Sequence, residues 1–230
     1  MFESNTLRGS SFSILGDSYS TFEGHIPADY LPFYPRLESV SDVTSFEDTW
    51  WYKFANQNQM KLLVNNSFSG STVCEQVRDG LPLTSAFSVR ARECSFSTPE
   101  GAAPDYLFVF GCTNDCWLGR SFGDVQFECW SSESLQKVLP AYCYVLHHLT
   151  QRYPNTTLVT VANDELNSAL KEGMRHASNH YGSIHVTLKD IDKQSGHPTA
   201  HGMSQIAMQI QVTICSMRNL SRQRDLQPSY

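Results

Sequence analysis

A serine and a histidine in this chain have the chemistry that cleavage of an ester requires. Ser18 follows an apolar run that breaks at a glycine, in the order Ile-Leu-Gly-Asp-Ser, and its hydroxyl is the best candidate nucleophile. His197 follows a flexible Ser-Gly pair and opens the last amphipathic stretch, from which its ring could reach back to Ser18. A serine that accepts an acyl group and a histidine that takes the serine proton are the essential pair of a serine hydrolase.

The Gly-Asp-Ser sequence gains weight from three later polar segments that come in the right order. By itself such a tripeptide is common in turns, where Asp and Ser bond the local backbone. Here Asn66–Gly70 follows a second apolar run, Gly111–Asp115 follows a third, and Asp192–Pro198 precedes the last amphipathic stretch. Together with the segment around Ser18, they resemble the four blocks of the SGNH (GDSL) hydrolase family, which is named for its Ser, Gly, Asn and His. The resemblance covers most of the chain.

This resemblance implies a serine esterase that needs no metal or organic cofactor, and it implies an oxyanion hole. The tetrahedral oxygen would be bound by the backbone N–H of Ser18, the backbone N–H of Gly70 and the side-chain amide of Asn114. These residue types suit the task, because glycine lets the backbone approach a ligand closely and an asparagine amide is a neutral donor. In a purely structural interpretation, Gly70 would be a turn residue and Asn114 a helix cap.

The acid that would orient His197 is irregular in this sequence. The family places it three residues before the histidine, where this chain has Gln194, which cannot supply the negative charge that stabilises an imidazolium. We expect Asp192 to take this role, because the Ser-Gly pair before the histidine could form a bulge that absorbs the two extra residues. Asp190 is the reserve. A Ser–His dyad whose histidine is oriented by a backbone carbonyl is the third possibility.

Aromatic residues near the four blocks indicate the kind of substrate. Tyr19, Phe22, Tyr34 and Trp117 suit stacking on a sugar face, and they suit a small apolar acyl pocket equally well. Structureless loops as long as Thr21–Ser45 are usually either functional or disordered. Because this segment carries the aromatic residues Phe22, Tyr30, Phe33 and Tyr34, we expect it to fold over the site as a substrate wall. The preferred interpretation is hydrolysis of an acyl or acetyl ester, and a small-molecule or carbohydrate ester is the expected partner.

Two alternatives keep the fold and change the function. A glycan- or peptide-binding module with a lost active site would account for Gln194 and for Cys112, which stands two residues before Asn114 where the family has glycine. Acyl transfer to a sugar or another acceptor would use the same residues as hydrolysis. A covalent serine probe separates the first alternative from an esterase, and product analysis separates the second.

Histidine and cysteine pairs also raise the possibility of a metal site. His197 and His201 have the i, i+4 spacing of a metal pair on a helix, and Cys112 and Cys116 are close in sequence. Neither pair has an evident further ligand, so we predict no metal site. The seven cysteines include no C-x-x-C pair, and we expect free thiols.

The elements that must position these residues alternate along the chain, which predicts a parallel sheet covered on both faces. The predicted strands are Phe12–Leu15, Leu62–Asn65, Tyr106–Phe110, Thr157–Val161 and Ile184–Leu188. The predicted helices are Phe46–Gln57, Leu135–Tyr153, Glu165–His180 and Pro198–Met217. The fold class is therefore α/β, a doubly wound three-layer α/β/α sandwich, and the resemblance implies its flavodoxin-like SGNH hydrolase form. In such sheets ligands bind at the carboxyl ends of the strands, where all four blocks lie.

The composition is that of one globular domain. The chain has 230 residues, of which 40% are hydrophobic, and its net charge of −6 includes no basic cluster of the kind that nucleic-acid binding needs. The start of the chain lacks the apolar core of a secretory signal, and no apolar run approaches membrane-spanning length. We therefore expect a cytoplasmic protein without nucleic-acid or membrane partners. The predicted hydrolase domain is 11–218, between an N-terminal extension (1–10) and a polar C-terminal tail (219–230).

Overall fold

The computed structural model describes the backbone of residues 7–225 and the side chains of residues 7–218. Parts of the extension predicted for residues 1–10 and of the tail predicted for residues 219–230 lie outside the described residues. Leu7 is fully buried, so the chain joins the apolar core before the first strand begins. The last helix continues to Asp225, and the beginning of the expected tail is therefore helical.

A five-stranded parallel sheet forms the centre of the fold. Its strands are β1 (Ser11–Gly16), β2 (Lys61–Ser67), β3 (Tyr106–Phe110), β4 (Thr157–Ala162) and β5 (Ile184–Thr187). Their order in the sheet is β2-β1-β3-β4-β5. Every residue of β3 is buried, as expected for a central strand that is covered on both faces. The predicted α/β class and the predicted strands are confirmed. From β1 the chain connects to β2 on one side and from β2 it returns to β3 on the other side, so the strand order reverses between β1 and β3. Open parallel sheets bind ligands at such a point of reversal.

Helices cover both faces of this sheet. They are α1 (Trp50–Asn58), α2 (Phe87–Glu93), α3 (Thr113–Trp117), α4 (Val138–Arg152), α5 (Ser168–His180) and α6 (Ala200–Asp225). One apolar core lies between the sheet and α2, α4 and α5, and a second lies between the sheet and α1 and α6. These layers are the predicted α/β/α sandwich. None of the helices within residues 7–225 combines the length and the hydropathy needed to cross a bilayer.

Two features near the ends of the sheet differ from the predicted elements. The helix predicted for Pro198–Met217 begins later, at Ala200, because a short hairpin precedes it. The hairpin consists of β6 (Lys193–Gln194) and β7 (His197–Pro198), which pair antiparallel. Helices α2 and α3 are absent from the sequence-based prediction, because both are short and α2 places a charged side chain, Arg90, in the interior.

Candidate active site

The candidate nucleophile lies in a tight turn directly after β1. Ser18 begins a 3-10 turn, and Asp17 caps this turn by accepting a hydrogen bond from the backbone N–H of Tyr19 at 3.0 Å. A Cβ added to Gly16 would lie 2.5 Å from Ser67 Oγ, so the turn packs against β2 at a distance that only glycine permits. Burial raises the pKa of Asp17 to about 7. The apolar strand, the glycine and the cap therefore fix the position of the Ser18 hydroxyl.

The β6–β7 hairpin positions the candidate base. Ser195 and Gly196 connect the two strands with φ angles of 51° and 77°, and left-handed φ angles at both central residues are the signature of a type I′ turn. The bulge expected from the sequence is thus a hairpin turn. The Tyr19 hydroxyl donates to the Gly196 carbonyl at 2.7 Å and ties the hairpin to the turn of the nucleophile. As a result His197 Nε2 lies 3.0 Å from Ser18 Oγ.

The other ring nitrogen of His197 faces a backbone carbonyl. Its Nδ1 lies 3.3 Å from the carbonyl oxygen of Ser195, which is its partner within the described residues. The expectation that Asp192 contacts the ring is wrong, since this carboxylate accepts a hydrogen bond from the Thr199 hydroxyl. The antiparallel register explains the difference, because the residue before β6 lies opposite the residue after β7. The reserve, Asp190, is exposed to solvent.

Asp192→Asn should therefore leave turnover close to that of the wild type. We expect kcat within about threefold of wild type, whereas loss of a triad aspartate lowers kcat by about 10⁴. The reason is that the Asp192 carboxylate holds Thr199 and not the imidazole. Steady-state hydrolysis of a p-nitrophenyl ester measures the effect, with Asp190→Asn in parallel. A loss of about 10³ or more in either variant would place a carboxylate back in the catalytic machinery.

Aromatic rings enclose the imidazole of His197. Phe33 stacks on it with the ring centroids 3.5 Å apart and the planes 6° from parallel. Tyr19 and Trp117 lie on other sides, with centroids at 5.4 Å and 5.6 Å, and Tyr34 meets the ring edge at 6.4 Å. These contacts fix the orientation of the ring and exclude water from most of its surface.

This enclosure determines the protonation state of His197. Burial lowers the pKa of His197 to about 4, the Ser195 carbonyl opposes this shift, and the positive charges of Arg36 and Lys193 add to it. At neutral pH the imidazole is therefore uncharged and able to accept a proton. Because a carbonyl oxygen can only accept, the Ser195 contact favours the tautomer with hydrogen on Nδ1 and a free lone pair on Nε2.

The candidate oxyanion donors border the same cavity as His197. The cavity has a volume of about 360 Å³, and its lining includes Ser18, Gly70 and Asn114. Asn114 lies on α3, just after β3, and donates an amide N–H to the Ser71 carbonyl at 3.0 Å. Its second amide hydrogen stays available for a ligand. Cys112, which stands where the family has glycine, has a thiol that is fully buried in the core between the sheet and α2 and α4.

A buried arginine that sequence reasoning missed fixes the strand ends around this cavity. Arg90 donates to the carbonyl oxygens of Gly16 at 3.1 Å and Asn66 at 2.5 Å. It also donates to Ser71 Oγ at 2.9 Å. Burial lowers the pKa of Arg90 to about 10, so its guanidinium stays charged at neutral pH. The ends of β1 and β2 and the segment that Asn114 contacts are thus held by one side chain. The sequence gives no signal of this role, because Arg92 and Glu93, which follow closely in the same helix, are charged as well.

Three of the four aromatic residues expected to contact substrate lie in the interior instead. Tyr19 and Tyr34 are fully buried, and the Tyr34 hydroxyl donates to the Pro198 carbonyl at 3.0 Å. Phe22 is also buried and packs against Phe46. Their rings fill space between the long loop, the hairpin and the sheet, which large aromatic side chains do well. Trp117, by contrast, is 48% exposed and lines the cavity.

Two further groups of residues line the cavity and carry no motif. The segment Thr21–Ser45, expected as a substrate wall, contributes Leu31, Phe33 and Arg36 to the lining. The segment after Gly70 contributes a second group, and its members are Arg78, Asp79, Gly80 and Leu81. The expectation for Thr21–Ser45 is therefore met by Leu31, Phe33 and Arg36, whereas sequence reasoning missed the second group, whose segment has neither a motif nor periodicity.

The alternative metal sites gain no further ligands in the structure. Residues 7–218, whose side chains are described, contain no group of three or more His, Cys, Asp or Glu side chains that could hold a metal ion. His197 contacts Ser18, whereas His201 is exposed. All seven cysteines are free thiols, as predicted.

Comparisons with known proteins show which family model and which solved structures the chain is similar to. The family model described as GDSL-like lipase/acylhydrolase matches residues 10–214. No curated protein matches the chain significantly. The chain is similar to the solved structure of a candidate GDSL-like lipase from Bacteroides ovatus ATCC 8483, with 40% identity, a TM-score of 0.80, and coverage of 90% of this chain and 99% of that one. A second, from Bacteroides uniformis ATCC 8492, has 38% identity, a TM-score of 0.82, and coverage of 90% and 96%.

A more distant likeness concerns the fold alone. The chain is similar to a family two carbohydrate esterase from Clostridium thermocellum with 13% identity and a TM-score of 0.58. The match covers 91% of this chain and 65% of that one. At this identity the likeness supports the sandwich architecture and says nothing of substrate.

Proposed function

The chain belongs to the GDSL-like lipase/acylhydrolase family, and from this premise we propose that it is a serine esterase with Ser18 as nucleophile and His197 as general base. Family membership makes it, in broad terms, an ester hydrolase. The observation that carries the finer proposal is the 3.0 Å contact between Ser18 Oγ and His197 Nε2. This contact borders a cavity that Gly70 and Asn114 also line.

In the proposed acylation step, Ser18 Oγ attacks the ester carbonyl carbon while His197 Nε2 takes the hydroxyl proton. The oxyanion that forms would accept hydrogen bonds from the backbone N–H groups of Ser18 and Gly70 and from the amide of Asn114. Collapse of the tetrahedral intermediate breaks the bond to the alcohol oxygen, and the imidazolium returns the proton to that leaving group. Water then attacks the acyl-enzyme by the same route, with His197 again as base.

The proposed site is a Ser–His dyad with a backbone orienter. The Ser195 carbonyl takes the orienting role that a carboxylate has in a triad, because its contact with Nδ1 sets the tautomer of His197. A neutral carbonyl stabilises an imidazolium less than a carboxylate does. The stacked ring of Phe33 compensates in part, since the face of an aromatic ring attracts a cation.

The pH dependence of turnover should reflect the low pKa of the base. His197 acts as base only when neutral, and its pKa is lowered to about 4, so kcat/KM should rise with pH through about 4 and stay level above about pH 5. Hydrolysis rates in constant-ionic-strength buffers measure this profile. Tryptophan fluorescence at each pH is the control that the protein stays folded. An acidic limb centred near the ordinary histidine pKa of about 6.5 would contradict the assignment if it persists in Asp17→Asn protein, which removes the other nearby group with a pKa of about 7.

The proposed substrate is a short acyl or acetyl ester, with a carbohydrate ester favoured. The half-exposed Trp117 at the cavity supports this choice, because its indole face suits stacking on a sugar. A panel of p-nitrophenyl acyl esters and acetylated sugars tests acyl length and alcohol class together. Product analysis with an added sugar acceptor distinguishes hydrolysis from acyl transfer.

The second candidate function is a glycan- or peptide-binding module. The observation in its favour is that no carboxylate within the described residues contacts the His197 ring. Covalent labelling by a fluorophosphonate probe decides between the two functions, because labelling needs an activated serine and simple binding does not.

A further inference from the structure

Two arginine side chains border the cavity that contains Ser18, and both lie close to the groups proposed for catalysis. Arg78 Nη1 lies 4.0 Å from the position that a Cβ on Gly70 would occupy, which puts this guanidinium beside the oxyanion glycine. The Arg36 guanidinium carbon lies 5.0 Å from the centre of the Phe33 ring. The same ring stacks on His197. One cation of the cavity, Arg78, therefore lies near Gly70, and the other, Arg36, lies over the ring that stacks on His197.

Neither guanidinium has a hydrogen-bonded partner or a counter-ion among the residues whose side chains are described. Among residues 7–218, Arg90, Arg120 and Arg152 donate hydrogen bonds to protein carbonyl groups, whereas the guanidinium groups of Arg36 and Arg78 form no hydrogen bond or ion pair. Stacking on Phe33 occupies one face of Arg36 and leaves its in-plane N–H donors free.

The charge at the cavity is also opposite in sign to the net charge of the whole chain. The sequence has a formal net charge of −6, yet the charged side chains that line the cavity are Arg36, Arg78 and one acid, Asp79, with His197 neutral. A local excess of cations in a concave site raises the concentration of anionic ligands there. Guanidinium groups match the planar, two-oxygen geometry of a carboxylate particularly well.

We propose that the substrate of this site is an ester that carries an anionic group, a carboxylate above all, and that Arg36 and Arg78 bind this group while Ser18 attacks the ester carbonyl. The proposal rests on the proposed serine esterase function and deepens it by naming the substrate class. The anionic group belongs either to the alcohol portion, as in an O-acylated sugar acid, or to the acyl portion, as in a half-ester of a dicarboxylic acid.

Matched pairs of esters test the proposal. The alcohol side is tested by 4-acetoxybenzoate against its neutral analogue 4-acetoxybenzamide. The acyl side is tested by p-nitrophenyl hydrogen succinate against the p-nitrophenyl ester of succinamic acid. The measured quantity is the ratio of kcat/KM for the anionic ester to kcat/KM for the neutral one, and the pair with the higher ratio identifies the side that carries the anion.

Substitution of the arginines should lower this ratio. Arg36→Gln and Arg78→Gln should each reduce the ratio about three- to tenfold for one pair, mainly through KM, because each removes one exposed cation that only the anionic ester uses. Differences in the intrinsic reactivity of the two esters cancel when the ratios of variant and wild type are compared. Arg8→Gln, at the opposite end of β1, is the control for net charge and should keep the wild-type ratio.

The outcomes separate this proposal from the proposed function. If Ser18-dependent turnover is present but the ratio is the same in wild type and both arginine variants, the substrate proposal is overturned and the esterase stands. If Arg78→Gln lowers kcat/KM equally for the anionic and the neutral ester, Arg78 stabilises the oxyanion and does not bind an anionic group of the substrate. Calorimetric binding of both ester pairs to Ser18→Ala protein needs no turnover, and equal affinity for the anionic and the neutral ester in both pairs would overturn the proposal even in a chain without esterase activity.

Discussion

Ser18→Ala protein is expected to lose ester hydrolysis and fluorophosphonate labelling together. Oγ is the atom that forms the acyl-enzyme, so kcat should fall by at least about 10⁴. The rate that remains would come from substrate binding and from the oxyanion donors. The fold should persist, because the side chain contributes one hydrogen bond to His197 and little apolar area. The free energy of unfolding should change by about 1 kcal/mol, as for one neutral hydrogen bond.

Rate measurements, intact-protein mass spectrometry after labelling, and thermal unfolding together check this result. Ser204→Ala is a matched control, because Ser204 is exposed on α6 and only bonds the Ala200 carbonyl of its own helix. It should retain both turnover and labelling. Stoichiometric labelling of the Ser18→Ala protein would assign the nucleophile to another residue.

Asn114→Ala is expected to lower kcat by about 10²–10³ with a much smaller change in KM. Deleting one oxyanion donor typically has an effect of this size, because the donor is used more strongly in the transition state than in the bound substrate. The structural role considered for Asn114, a helix cap, does not explain its side chain. The residue before α3 is Cys112, which has no side-chain capping bond, and the Asn114 amide donates to Ser71 instead.

Asn114→Asp provides a sharper version of the same test. The carboxylate nearly preserves the shape of the side chain but offers no N–H and adds negative charge where the oxyanion forms, so its loss in kcat should equal or exceed that of alanine. Full steady-state curves and thermal unfolding of both variants measure the effect. Proportional losses in kcat and apparent affinity, accompanied by a large fall in melting temperature, would assign Asn114 a structural role.

Much of the site was predictable because strand ends impose their own geometry. Ser18, Gly70 and Asn114 follow three neighbouring strands, β1, β2 and β3, whose carboxyl ends lie at one edge of a parallel sheet. Any chain that alternates strands and helices in this way brings those residues together. His197 comes from a segment after β5, at the far edge of the sheet, and its role was inferred from its block.

The partner of His197 was not predictable from sequence spacing. Counting residues back from the histidine favours Asp192, but the paired register of the hairpin puts that carboxylate beside Thr199 and leaves the Ser195 carbonyl at Nδ1. A two-residue hairpin turn and a bulge both use glycine with a positive φ, so the same Ser-Gly sequence allows both.

By itself, the sequence determined the α/β sandwich, its strands and the polar segments at their carboxyl ends, because hydrophobic periodicity and chain order act locally. Only the tertiary structure decided which side chains face the cavity. In the structure Tyr19 and Tyr34 are buried, whereas Trp117 is exposed. Arg36 and Arg78, which come from two irregular loops, line the same cavity. The physical reason is that burial depends on what packs against a residue from distant parts of the chain, and the sequence of a loop without periodicity does not show which of its side chains will face a cavity.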